Sequence, residues 1–159
     1  MPENKALRLY KKALKWPFGK HFFSFYAARM SPYFSSISPL VEELDPGYCE
    51  VFIKKRGKLL NHIGTVHVIA IANGLEMAMG FMAEASIPKN LRWIPKGMDI
   101  QYVGKAGSDI RCFAKLEPNE WRVGDLPVKV EALDSDNQIV VQGTINLWIT
   151  EKPKQQKMT

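Results

Sequence analysis

Between residues 66 and 82 the chain carries only three polar side chains, His67, Asn73 and Glu76, and no other stretch restricts the fold as severely. A helix that is apolar on every face must be buried on every face. The run is too short and too polar to span a bilayer comfortably, so the spacing predicts a buried central helix. Thr65 is the expected N-cap, and Gly64 before it lets the backbone turn sharply into the first turn. Asn73 and Glu76, three apart, share a face. A carboxylate in such surroundings is costly unless it is partnered or employed, which makes Glu76 the foremost functional candidate.

Short strand-like segments flank this helix. Residues 37–44 and 48–54 read as a hairpin around Asp45-Pro46-Gly47, with Cys49, Val51 and Ile53 alternating in its second arm. After the helix come residues 91–102, with Pro95-Lys96-Gly97 as a bulge or bend, then 109–116, 127–133 and 139–150. Asp134-Ser135-Asp136-Asn137 is the tight turn between the last two. Two strands, one long helix and four strands fit an α+β fold, an antiparallel sheet wrapped around one long central helix. One sheet covers only part of such a helix, so a second copy of the chain is expected against the remainder. The 159 residues are enough for one domain with a real core.

Ahead of the strands, residues 4–16 place Leu7, Tyr10 and Leu14 on one side of a helical wheel and Lys5, Arg8, Lys12 and Lys15 on the other. This is an amphipathic basic helix ended by Pro17. Residues 18–30 form a second, aromatic-rich helix that stops before Pro32. These extra N-terminal helices are expected to pack over the domain or its dimer edge, or to contact a membrane surface. The formal charge of +6 is uneven: residues 1–29 hold seven basic and one acidic residue, residues 30–150 twelve and fourteen. The body is nearly neutral and offers no stacking platform or reader helix, which argues against nucleic acid as a partner. Cys49 and Cys112 are isolated and the N-terminus shows no secretory signal, so two free thiols in a reducing cytoplasm are expected. Three histidines and no Cys/His cluster argue against a zinc site, and no cofactor is expected. The chain divides into a helical extension (1–33), the sheet-and-helix domain (34–150) and a polar, disordered tail (151–159).

Asn61, Gly64-Thr65, His67 and Glu76, followed by a strand ending in Tyr102, resemble the hot-dog superfamily, and within it the acyl-CoA thioesterases of the phenylacetate type. The likeness covers roughly residues 34–150. The wording Asn-His-Ile-Gly-Thr-Val-His and the stretch Arg92-Trp93-Ile94-Pro95-Lys96-Gly97-Met98 look most like a little-characterised bacterial branch known only as possible thioesterases. The resemblance implies thioester hydrolysis at a site shared between subunits of a homodimer or a dimer of dimers. It makes Glu76 the general base or nucleophile, has Asn61 hold the water or carbonyl from the partner subunit, and supplies the oxyanion donor from the backbone N–H of Val68. His67 would orient this turn: nine helical positions put it about 180° from Glu76 on the wheel. The basic run Lys54-Lys55-Arg56-Gly57-Lys58 offers Lys54, Arg56 and Lys58 to CoA phosphates.

The sequence departs from that family where two glycines should follow the motif histidine. Val68 and Ile69 stand there, and β-branched side chains crowd an approach that glycine leaves open. A Ser or Thr of the third strand is also missing, with Pro95 and Lys96 near its place, and Lys96 is a candidate replacement donor. Ordinary explanations stand beside these roles: an interface carboxylate for Glu76, a loop or cap residue for Asn61, a helix–helix or inter-subunit hydrogen bond rather than substrate contact for Asn73. Val68-Ile69 and the basic N-terminus favour an alternative, a non-catalytic acyl-chain or acyl-CoA binding protein. A third reading, a hot-dog enoyl hydratase or dehydratase, rests on His62 lying fourteen residues before Glu76, but Ile63-Gly64 follows where that group has Phe-Pro.

Overall fold

The computed structural model describes residues 3–153, so residues 154–159 of the expected tail lie outside the described residues. Helix α1 (Lys5–Ala13) and helix α2 (Gly19–Met30) are followed by a 3-10 turn at Pro32–Ile37. Strands β1 (Leu40–Asp45) and β2 (Tyr48–Ile53) then form a hairpin, a short 3-10 turn (Gly57–Leu59) intervenes, and α3 runs over Val68–Ser86. Four strands complete the chain: β3 (Leu91–Tyr102), β4 (Ile110–Lys115), β5 (Gly124–Leu133) and β6 (Ile139–Glu151). All six strands belong to one antiparallel sheet, in the order β1-β2-β4-β5-β6-β3.

The alternation read in β2 is real: Cys49, Val51 and Ile53 are fully buried and face α3, together with Leu126, Val128, Ile145 and Leu147 of the later strands. Both cysteines are free, and burial pushes their thiols far above the ordinary range. Pro127 lies inside β5, a place sequence rules reserve for edges. It is tolerated because β4 pairs with β5 only from Lys129 to Leu133, leaving Pro127 with β6 alone as neighbour, opposite Asn146.

The register of β3 on β6 shifts between Pro95 and Gly97, the bulge expected there. Further along the pair the two backbones come so close that a Cβ on Gly143 would fall 2.0 Å from the Asp99 carbonyl oxygen. At the far side of β3 nothing pairs with it among the described residues: this twelve-residue strand is an open edge, and Ile94, Met98 and Tyr102 are exposed on it.

Several boundaries differ from expectation. Strand β1 begins at Leu40, three residues later than expected, because Ile37 closes the 3-10 turn that Pro32 opens at a ready first position. The first helix ends at Ala13, ahead of Pro17. Helix α3 begins two residues later than expected and is capped by His67, not Thr65: the imidazole Nδ1 accepts the Ile69 N–H at 3.1 Å. The last strand reaches Glu151, one residue into the stretch assigned to the tail.

Tyr10 joins the N-terminal helices to the sheet. Its ring packs edge-on against Phe23, and its hydroxyl donates to the Glu42 carbonyl at 2.7 Å. Burial pushes the phenol up to about 12.

Candidate active site

The sheet and the N-terminal helices leave one stripe of α3 uncovered. Ile69, Ala72, Glu76, Gly80 and Glu84, spaced three and four apart, are each partly or fully exposed. Beside its second half lies an apolar cleft of about 380 Å³, lined by Phe23, Tyr26 and Met30 of α2, by Phe34, and by Trp93 and Pro95 of β3. Glu76 and Glu84 both line it, in different circumstances. The Trp93 indole N–H donates to Glu84 Oε1 at 3.0 Å. Glu76 has no ion pair or side-chain hydrogen bond among the described residues. Lys5, the basic residue of this lining, is not paired with it. A half-buried carboxylate without a partner among the described residues, in an apolar cleft, is free to meet a ligand.

A second hollow, of about 310 Å³, lies at the N-terminus of α3 and is lined by Asn61, His62, Thr65, His67, Val68 and Tyr102 among others. Asn61 builds its rim. The amide Nδ2 donates to Thr65 Oγ1 at 2.8 Å, and Oδ1 accepts the N–H groups of Ile63 and Thr65 at 3.1 and 3.2 Å. The loop closes through Gly64 at φ +76°, a conformation that costs glycine little. One Nδ2 hydrogen of Asn61 remains to donate. Because His67 Nδ1 accepts from Ile69, a neutral imidazole carries its proton on Nε2. The Val68 N–H, at the positive end of the helix dipole, has no hydrogen-bond partner among the described residues. This hollow therefore presents donors to an oxygen that gains negative charge.

The two hollows are separate within one protomer. Eight residues at the α-helical rise put the Val68 amide about 12 Å along the axis from Glu76, too far for both to serve one carbonyl. Other candidates fall elsewhere. Asn73 is buried and donates from Nδ2 to the Tyr33 carbonyl at 3.3 Å and to Ser36 Oγ at 3.2 Å. It tethers the 3-10 turn to α3 and lines neither hollow. Lys96 is paired with Asp125 at 2.7 Å, and its ammonium lies 5.1 Å from the Trp148 ring centroid; it lines neither hollow. Lys54 lines a third hollow, of about 600 Å³, with His21 and Arg29. Arg56 has buried Nε and Nη2 atoms without a hydrogen-bond partner among the described residues, and Lys58 is exposed in the turn after it.

In sequence, α2 reads as a cover with no link to Glu76. A signal was present in Phe23, Tyr26, Ala27 and Met30, the i, i+3, i+4, i+7 face that lines the cleft. Trp93 carried no such signal, since its contact with α3 depends on strand curvature.

The description "domain of unknown function (DUF4442)" matches residues 19–149. The chain belongs to the DUF4442 family. Among solved structures, this DUF4442 member is similar to a structural-genomics crystal structure at 38% identity, over 92% of this chain and 98% of the other, with a TM-score of 0.81. It is similar to a Pseudomonas aeruginosa protein of unknown function reported as a probable thioesterase, at 18% identity over 86% and 97% of the two chains, with a TM-score of 0.75. A thioesterase from Haemophilus influenzae follows at 7% identity, over 80% and 87%, with a TM-score of 0.66. No curated protein matches the sequence. The DUF4442 domain thus has the hot-dog fold, and the resemblance read from Asn61, Gly64-Thr65, His67 and Glu76 holds at the level of fold.

Proposed function

We propose that this DUF4442 protein hydrolyses acyl-CoA or a related acyl thioester in the cytoplasm, as a homodimer or a dimer of dimers. The observation that carries the reading is Glu76, unpaired in an apolar cleft. Glu76 takes a proton from water as the water oxygen attacks the thioester carbonyl carbon. The carbonyl oxygen, now negative, is held by the Val68 N–H and the spare Asn61 hydrogen of the other copy. Collapse of the tetrahedral intermediate breaks the C–S bond, and the proton passes from Glu76 to the departing thiolate. The products are a carboxylic acid and a thiol. The separation of about 12 Å between the two ends of this machinery in one protomer calls for the second copy, and the open edge of β3 offers a surface for it. Lys54, Arg56 and Lys58 supply cations for CoA phosphates, Arg56 with two buried guanidinium nitrogens unpartnered among the described residues.

A second reading, a non-catalytic acyl-chain or acyl-CoA binder, is favoured by Val68 and Ile69, two β-branched residues where the resembled family has glycines, Ile69 standing 54% exposed at the helix N-terminus. Release of free thiol from butyryl-, octanoyl- and palmitoyl-CoA separates the two. The hydrolase reading expects turnover by the wild type and a loss of about 100-fold or more in kcat for Glu76→Gln, with KM little changed. Tight binding of the panel without turnover selects the binder. Equal activity in Glu76→Gln removes the role given to that residue.

A further inference from the structure

The turn between α1 and α2 and the outer face of α2 carry Trp16, Phe18, Phe22, Phe25, Tyr26 and Met30, each more than half exposed, with Phe18 at 76%. The inner face of α2 (Phe23, Ser24, Ala27, Ala28) is already buried against the domain, so the outer aromatics add nothing to the core of one protomer. An apolar surface of this extent on a stable domain marks a contact. The charge around it selects the partner. Seven basic residues and one acid lie in residues 1–29, and the acid, Glu3, is paired with Lys11 at 2.6 Å. Arg8, Lys12, Lys15 and Arg29 are exposed and make no ion pair among the described residues. Arg29 lies over the Phe25 ring at 5.4 Å.

From this face we infer that the α1–α2 hairpin docks on an anionic lipid bilayer, its aromatic rings entering the headgroup boundary and its cations meeting lipid phosphates. Aromatic side chains beside basic ones are the composition that such a boundary rewards. A second copy of the chain suits this face poorly, because a twofold contact would set one basic hairpin against another. Tyr26 and Met30 also line the Glu76 cleft. Docking would therefore bring that cleft to the bilayer surface, where acyl chains are concentrated. The inference does not depend on thioester hydrolysis.

Co-flotation of the full chain with phosphatidylcholine vesicles, with and without one quarter phosphatidylglycerol, tests it. The protein is expected to float with the anionic vesicles and to be released as salt rises. Phe22→Ser/Phe25→Ser and, separately, Lys12→Glu/Lys15→Glu are each expected to weaken vesicle binding about tenfold or more, with the thermal melt retained. The charge pair lies on an exposed surface and so guards against misfolding of the aromatic variant. No flotation at low salt, or flotation indifferent to both variants, overturns the proposal. So does a lipid-free drop in sedimenting mass in the aromatic variant without loss of vesicle binding, which would assign the face to a second copy.

Discussion

The Trp93 indole donates to Glu84 at 3.0 Å, and its Cη2 lies 3.6 Å from where a Cβ on Gly80 would stand. One ring thus covers the helix between two carboxylates that are a turn apart from it on either side, tying one and leaving the other free. The contact at Gly80 is ordinary van der Waals distance, so the position has room for a methyl group.

Gly80→Ala is therefore expected to stabilise the protein by about 0.5–1 kcal/mol, the cost of glycine inside a helix. Gly74, six residues earlier and buried, is the opposite case. A Cβ there would lie 2.5 Å from Ile53 Cδ1 and 2.8 Å from Cys112 Sγ, and Gly74→Ala is expected to cost about 1–3 kcal/mol through overpacking. Urea unfolding of the two variants should move the midpoint in opposite directions.

His67 is predicted to matter first as a cap. His67→Ala removes the acceptor of the Ile69 N–H and should cost about 1 kcal/mol, whereas His67→Asn, which restores a side-chain acceptor, should recover most of it. Thermal melts of the three proteins give the comparison. Equal melts would mean that water replaces the imidazole at no cost.

Asn73 is predicted to hold residues 32–37 against the central helix. Asn73→Ala breaks the bonds to Tyr33 and Ser36, and a loss of about 1–2 kcal/mol is expected. Amide hydrogen exchange should quicken in the 3-10 turn more than in β4 or β5. Uniform quickening would contradict a local tether.

Stability should fall in alkali. Tyr10 releases its proton at about 12 in the folded protein and near 10 in an unfolded chain, so the unfolded state loses the proton first as pH rises. The stabilisation is complete below pH 10 and is lost between about 10 and 12. Tyr48, half-buried beside Glu50, is shifted in the same direction and adds to the slope. Chemical unfolding across this range should show Tyr10→Phe with a shallower decline than the wild type.

What could be read in advance follows from what each residue answers to. The strands were legible because Cys49, Val51 and Ile53 alternate on a local period, and the β3 bulge because Pro95 and Gly97 declare it locally. Thr65 misled because it is a better capping residue than histidine in general, yet Asn61 had already engaged its hydroxyl across the loop. The cleft beside Glu76 depends on where α2 lands relative to β3. Helical spacing marks Phe23, Tyr26 and Met30 as one face but does not say what that face meets. Lys96 reads as a free cation in sequence, and only the fold brings Asp125 of β5, two strands away across β6, beside it.

Gly143 gives the fold a point of selective weakness. With the Asp99 carbonyl 2.0 Å from where its Cβ would be, any side chain at that position must push β3 outward while Val128, Ile145 and Leu147 keep their places in the core. The displaced element is the sheet's unpaired margin, together with the indole that reaches from it to α3. A lesion there would spare the interior and spoil the rim, yielding a chain that still folds but presents a misshapen border to whatever comes alongside.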